Sequence, residues 1–253
     1  MPEGSVADNR GLVYRAKHLV SKRAWRALTR PAAAILSRLP EGPTYRIGLS
    51  MRRGKLPYSL IRPGDVVFQI GAPSDLLGVG RSRAAYFLRL VGEGGTLVVM
   101  EPDPENCRAF RGHAERCGLL DRLVLIEAGA WSSDTTLTFL ASRTHPASAA
   151  LADVSKASEE ERNRRGYREI EVPVRTVDGV IAEYGLEPPR LFSITTNGAE
   201  HAILDGLAAT LAHRRELFIS LAAPEADVKP WLDTHGFLRV AHDDRGETFR
   251  RAA

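Results

Sequence analysis

The sequence predicts an α/β fold: a mostly parallel central sheet, an antiparallel C-terminal strand, and a basic helical extension in front. Three observations carry this. The runs Asp65-Val-Val-Phe-Gln-Ile-Gly-Ala72 and Gly95-Thr-Leu-Val-Val-Met-Glu101 are apolar on both faces, as strands buried between two helical layers are. Segments with helical spacing of apolar residues follow them. The connections are short, and right-handed crossovers between such units produce parallel strands.

The elements follow in order. After the first strand comes a loop with Pro73, Gly78 and Gly80, then a helix over Arg81 to Val91 with Ser82 as its N-cap. After the second strand, Asp103 before Pro104 marks a helix start, a capping side chain ahead of a proline at the first helical position. Gly118 ends that helix, and Leu123 to Ala130 reads as a third strand. Trp131 to Leu140 reads as a strand entered through Ser132-Ser133-Asp134. Ala141 to Gly166 is polar, charged and poor in large apolar residues, and reads as a mobile insertion or lid. Glu169 to Arg175 alternates as an exposed strand does, and Thr176 caps a helix over Val177 to Tyr184. Leu191 to Thr196 is a strand, about Ala199 to His213 a helix, Glu216 to Ala222 a strand and Glu225 to His235 a helix. Phe237 to His242 and Thr248 to Arg250 form the closing antiparallel pair.

At 253 residues the chain fits one domain of this class, 61–253, preceded by a basic helical extension and lead-in, 1–60. Residues Asn9 to Pro40 hold eight Lys/Arg and no Asp or Glu. Leu12, Leu19, Val20, Ala24, Ala27 and Leu28 lie close to helical spacing there, and Pro31 interrupts the pattern. Such a segment packs on its domain with solvated charges, or makes weak contact with an anionic membrane surface. Tyr45 to Tyr58 reads as an irregular lead-in. No nucleic-acid partner is expected, because no stacking or groove-reading motif is present. No apolar run approaches the roughly 18 residues of a membrane span, and Met1 to Arg10 lacks the pattern of a secretory signal. Cys107 and Cys117 lie on one expected helix without metal-ligand spacing, so no metal is expected. A cytoplasmic location, peripheral to the membrane if the basic segment engages it, follows.

Ligands of open parallel sheets bind at the carboxyl ends of strands, where the strand order reverses. Three such ends stand out. Gly71-Ala72 lets the backbone approach a ligand. Glu101, thirty residues later, can accept hydrogen bonds from ribose hydroxyls. Trp131 and Ser132, at the third end, can line an adenine. Their ordered spacing points to a nucleoside-cofactor site. The histidines share no common spacing, and neither a nucleophile-elbow nor a phosphate-binding Gly-x-x-x-x-Gly-Lys loop is present.

Asp65 to Ala72 with Val98-Val-Met-Glu101-Pro-Asp-Pro-Glu-Asn106 resembles the start of an FkbM-type methyltransferase. Val172-Pro-Val-Arg-Thr-Val-Asp178, and then Leu191-Phe-Ser-Ile-Thr-Thr-Asn-Gly-Ala-Glu200-His-Ala-Ile-Leu-Asp-Gly206, is similar to that family's strand-then-Gly-x-Glu-x-x-x-Leu-x-Gly segment. The resemblance spans about Asp65 to Phe237. It implies a Rossmann-like methyltransferase fold and methyl transfer from S-adenosylmethionine, commonly to a hydroxyl oxygen, here of a small-molecule or saccharide-like acceptor. It places Gln69, Gly71, Ala72, Glu101, Trp131 and Ser132 on the cofactor, and Thr195, Asn197 and Glu200 at the catalytic position. The chain departs from the pattern where the family carries Asp on the first strand, here Gln69, and Lys and Asp on the later one, here Ser193 and Thr195. Asp75 or Glu200 could supply the missing negative charge, Glu200 being in the matching context. The alternative is a catalytically degenerate cofactor-binding or interaction module; a nicotinamide-dependent oxidoreductase is disfavoured because the glycine fingerprint is incomplete.

Overall fold

The computed structural model describes residues 6–8, 41–72, 83–142, 150–151, 158–164, 166–196, 198–213, 216–222, 228–243 and 246–252. The expected helices over Leu12 to Leu39, the loop Pro73 to Gly80 with Asp75, the cap Ser82 and the site residue Asn197 lie outside them.

In chain order the elements are β1 (Ala7–Asp8), α1 (Glu41–Arg52), β2 (Val66–Ile70), α2 (Arg83–Leu90), β3 (Thr96–Met100), α3 (Pro104–Arg116), β4 (Leu123–Ile126), β5 (Gly129–Ala130) and β6 (Thr135–Ser142). The chain continues through β7 (Ala150–Leu151), α4 (Glu159–Arg164), β8 (Tyr167–Arg175), α5 (Val177–Glu183), β9 (Leu191–Ile194), α6 (Glu200–Asp205) and α7 (Ala208–Ala212). It closes with β10 (Leu217–Leu221), α8 (Val228–Thr234), β11 (Leu238–Asp243) and β12 (Gly246–Arg251).

Among the described residues the central sheet has the order β1-β11-β12-β10-β9-β2-β3-β4. From β10 to β4 every neighbouring pair is parallel, and β12 enters antiparallel to both β10 and β11. The expected closing hairpin is therefore present. Helices cover both faces. Val67, Leu97, Val99, Leu191 and Phe218 pack on one side with Tyr45, Phe87 and Phe110 from α1, α2 and α3. Phe68, Val98, Phe192 and Ile219 pack on the other with Val180, Leu204 and Leu232 from α5, α6 and α8. Two buried faces explain why these strands read as unbroken apolar runs.

Four readings of the sequence are corrected. Leu123 to Ala130 is not one strand: β4 ends at Ile126, and β5 pairs with β8 in a second sheet of order β5-β8-β6-β7. The helix expected over Ala199 to His213 divides into α6 and α7 at Gly206, where a side chain would bring Cβ to 2.2 Å from the Trp131 carbonyl oxygen. The break is compensated by Asp178, whose carboxylate accepts from the backbone N–H groups of Ala209 (2.6 Å) and Thr210 (2.9 Å). Such capping satisfies donors that a new helix start leaves free. The insertion Ala141 to Gly166 is not structureless in its described part. Ala141 and Ser142 continue β6, Ala150–Leu151 form β7 against it, and α4 precedes β8.

The fourth correction is the lead-in, which forms α1. Gly48 lets that helix lie close against α2, since a Cβ there would fall 2.2 Å from the Tyr86 hydroxyl oxygen. Tyr45 is buried, stacks on Tyr86 at 5.2 Å between ring centroids and donates its hydroxyl to the Ala85 carbonyl. Burial pushes its phenol pKa well up. Tyr58, just before β2, joins the same cluster. Tyr45→Ala is expected to destabilise the protein by about 3–5 kcal/mol in denaturant titration, as loss of a buried aromatic ring does. A loss within ordinary surface-substitution scatter would show that α1 packs outside the core.

Candidate functional site

The strand order reverses between β2 and β9: the chain runs outward from β2 to β3 and β4, then returns on the other side to β9 and β10. In open α/β sheets that reversal leaves a crevice at the carboxyl ends of the strands, where ligands bind. Here the two strand ends are drawn tightly together. Gly71 has φ +81°, and a Cβ on it would lie 2.5 Å from the Thr195 carbonyl oxygen. Only glycine accommodates both constraints.

Three side chains organise this edge. Gln69, 1% exposed, turns its amide nitrogen to the carbonyl oxygens of Ile70 (3.2 Å) and Gly71 (2.7 Å) and to the Thr195 hydroxyl (2.8 Å). Thr195 Oγ1 in turn lies 2.8 Å from the Gly71 carbonyl oxygen. The carbonyls fix which end of the amide faces them, so position 69 acts as a donor. Glu101, 4% exposed, accepts from the Ala72 N–H (2.6 Å) on Oε2, and from the Asp103 N–H (3.0 Å) and the Asn106 amide (3.2 Å) on Oε1. It ties the turn after β2 to the turn after β3. Burial raises its carboxyl from 4.5 to about 7, against the lowering effect of those donors. Asp103 also caps α3 by accepting from the Glu105 N–H, as expected.

A polar row runs across the sheet beside this cluster. Gln69, Ser193, Ser220 and Thr248 are successive register partners on β2, β9, β10 and β12. They share the face that α2 covers, where the same strands carry Val67, Leu191 and Phe218 farther from the edge. Arg83, the buried first residue of α2, donates to Ser220 and to both Asp243 oxygens (2.9 and 3.1 Å). Among the described residues, Gln69 Oε1, Ser193 Oγ and Arg83 Nε are buried without a hydrogen-bond partner. Unpaired buried polar atoms are costly.

Of the residues singled out from sequence, Gln69, Gly71, Ala72, Glu101 and Thr195 thus meet at the β2/β3/β9 edge. Glu200 stands in the adjoining turn after β9. It is buried, and its two oxygens accept from the Thr196 hydroxyl and the Gly198 N–H, both at 3.0 Å. Trp131 is half-buried and Ser132 exposed; the Trp131 backbone donates to the Arg175 carbonyl and lies against Gly206, at the far end of α6 from Glu200. No bond joins either to the cluster among the described residues. Sequence reading missed Arg83, Asp243 and Ser220. An arginine at a helix start and an aspartate before a hairpin turn look solvated until the fold closes over them.

Residues 69–240 match the family described as the methyltransferase FkbM domain. The chain belongs to that family. No curated protein sequence matches it. Solved structures similar to this FkbM-family chain include methyltransferase FkbM from Methylobacillus flagellatus, 14% identical with a TM-score of 0.48 over 90% of this chain. This chain spans 59% of that protein's length. A methyltransferase from Geobacter sulfurreducens is 14% identical with a TM-score of 0.47, covering 89% of this chain and 96% of its own. A precorrin-6y C5,15-methyltransferase from Geobacter metallireducens is 14% identical with a TM-score of 0.42, covering 77% and 71%.

This FkbM-family chain uses Gln69 as a donor to oxygen atoms. Gln69→Glu places a carboxylate against two carbonyls, and is expected to lower stability at neutral pH by about 1–3 kcal/mol, the cost of a broken buried hydrogen bond. The repulsion raises the introduced carboxyl's folded-state pKa. The deficit should therefore shrink as pH falls through that value. Equal stability of variant and parent across the range would show that the amide is not held as a donor.

Proposed function

We propose that this protein binds S-adenosylmethionine at the β2/β9 switch point and transfers its methyl group to a hydroxyl oxygen of a small-molecule or saccharide-like acceptor. The observation that carries the reading is the pairing of Gly71 and Glu101, a side-chain-free turn beside a buried carboxylate at the ends of adjacent parallel strands. Family membership supports the same chemistry.

This chain's residues fit such a cofactor in three ways. Gly71 brings no side chain to the strand end, so only backbone stands there against a ligand. Among the described residues Glu101 Oε2 takes a single donor, from Ala72, which leaves a lone pair for a ribose hydroxyl. Gln69 Oε1 and Ser193 Oγ stand unpaired at the same edge, ready for polar groups. When bound, the cofactor supplies an electrophilic methyl on a sulfonium centre. Glu101 orients the ribose, and Trp131 offers an apolar wall with Ser132 beside it. Thr195 and Glu200 stand on the acceptor side, Glu200 contributing the negative charge that Gln69 and Thr195 do not carry. The protein works in the cytoplasm.

A second reading, a degenerate cofactor-binding module, is favoured by one observation: Gln69 is committed to closing the strand ends. Calorimetry with S-adenosylmethionine, S-adenosylhomocysteine and NAD separates the readings from an oxidoreductase. Binding of the first two without NAD is expected, and NAD alone, or no binding, contradicts the proposal. Methyl transfer to hydroxylated acceptors, against none with the cofactor still bound, separates enzyme from module.

The Glu101 carboxyl gives a pH signature. A diol donates more strongly to the carboxylate than to the acid, whose carbonyl oxygen accepts only a neutral hydrogen bond. With a pKa of about 7, affinity is expected to be highest above neutrality and to fall between pH 8 and pH 6, by up to roughly tenfold. Glu101→Gln should weaken binding by about 1.5–3 kcal/mol and flatten the profile relative to the parent. The sign for folding is opposite: a raised pKa favours the folded chain most below pH 4.5, and that contribution is lost as pH rises through about 7. An unchanged dissociation constant in Glu101→Gln removes Glu101 from the site.

A further inference from the structure

We propose that the outer face of α1 docks on an anionic lipid bilayer. Tyr45 and Gly48 turn inward, whereas Pro43, Arg46, Ile47, Ser50 and Met51 face outward, followed by exposed Arg53 and Gly54. Ile47 is 49% exposed and Met51 59%, one helical turn apart, so their side chains stand side by side. Scattered exposed apolar residues need no explanation. Two neighbouring ones on a helix otherwise occupied by packing and positive charge do.

Charge names the occupant. Residues 9–60 carry twelve Lys/Arg and a single carboxylate, Glu41. On α1 and just past it stand Arg46, Arg52, Arg53 and Lys55, and from the neighbouring α2 Arg89 lays its guanidinium over the Tyr45 ring. Arg52 is turned back over Tyr86 and donates to the Gly48 carbonyl, which leaves Arg46, Arg53 and Lys55 as the charges beside the apolar pair. Ile47 and Met51 enter the acyl boundary while these side chains meet lipid phosphates; a basic rim around a small apolar face is the pattern of helices lying in the interface plane. No helix among the described residues is long and apolar enough to cross a membrane, and the contact proposed is superficial. A second copy of the chain is a poorer occupant, since two such faces would bring like charges together.

The test is co-sedimentation of the full chain with phosphatidylcholine vesicles, with and without phosphatidylglycerol, at low and high salt. Binding is expected only with phosphatidylglycerol, fading as salt rises. Ile47→Ser with Met51→Ser removes the apolar pair without touching the core, and should cut the partition coefficient roughly tenfold or more. Arg46→Glu with Arg53→Glu should lower it by about fivefold per lost positive charge or more. Thermal melts equal to the parent's confirm that the variants are folded. Equal binding to phosphatidylcholine alone, absence of binding to either vesicle, or binding indifferent to the Ile47/Met51 change overturns the proposal. Self-association of the chain without lipid binding overturns it in favour of a second copy.

Discussion

The site depends on how closely the ends of β2 and β9 approach each other. That approach is set by Gly71, whose positive φ and missing Cβ admit the Thr195 carbonyl. Once the strands are this close, the carbonyl oxygens of Ile70 and Gly71 lie beside the Thr195 hydroxyl, and something must donate hydrogen bonds to them. Gln69 does so. A carboxylate at position 69 would add negative charge beside them. The amide at 69 and the hydroxyl at 195 therefore belong together as two halves of one clasp.

Glu101 plays the corresponding part on the other side of β2. Its carboxylate gathers the Ala72 and Asp103 N–H groups, which would otherwise lie unpaired at two strand ends. A residue expected from sequence to wait for a ligand is thus also a structural tie. The two roles are compatible because a carboxylate has about four acceptor sites, and the protein uses three of them. Farther along the edge, Arg83 holds the start of α2 to β10 and β11 through Ser220 and Asp243.

Much of this was legible in the sequence because buried parallel strands leave a plain signal. Val66–Ile70, Thr96–Met100, Leu191–Ile194 and Leu217–Leu221 are apolar on both faces, and Asp103-Pro104 and Thr176 mark helix starts by chemistry local to the chain. What escaped depends on partners distant in sequence. The division of α6 from α7 follows from the Trp131 carbonyl pressing on Gly206, and its repair by Asp178 reaches across thirty-one residues. The two-residue strand β5 is assigned by its partner β8, not by its own composition. Tyr45 reads as a lead-in residue because its burial comes from Tyr86, forty-one positions away. At the candidate site, Gly71 and Glu101 were singled out by spacing, whereas the polar row needs register, which periodicity within one strand does not carry.

The most direct test of the account is a crystal structure of the protein grown with S-adenosylhomocysteine. The account predicts the nucleoside at the carboxyl ends of β2 and β3, with a ribose hydroxyl within hydrogen-bond distance of Glu101 Oε2 and the cofactor backbone passing over Gly71. A nucleoside bound elsewhere on the protein, or Glu101 still closed on Ala72, Asp103 and Asn106 with no ribose contact, would contradict it.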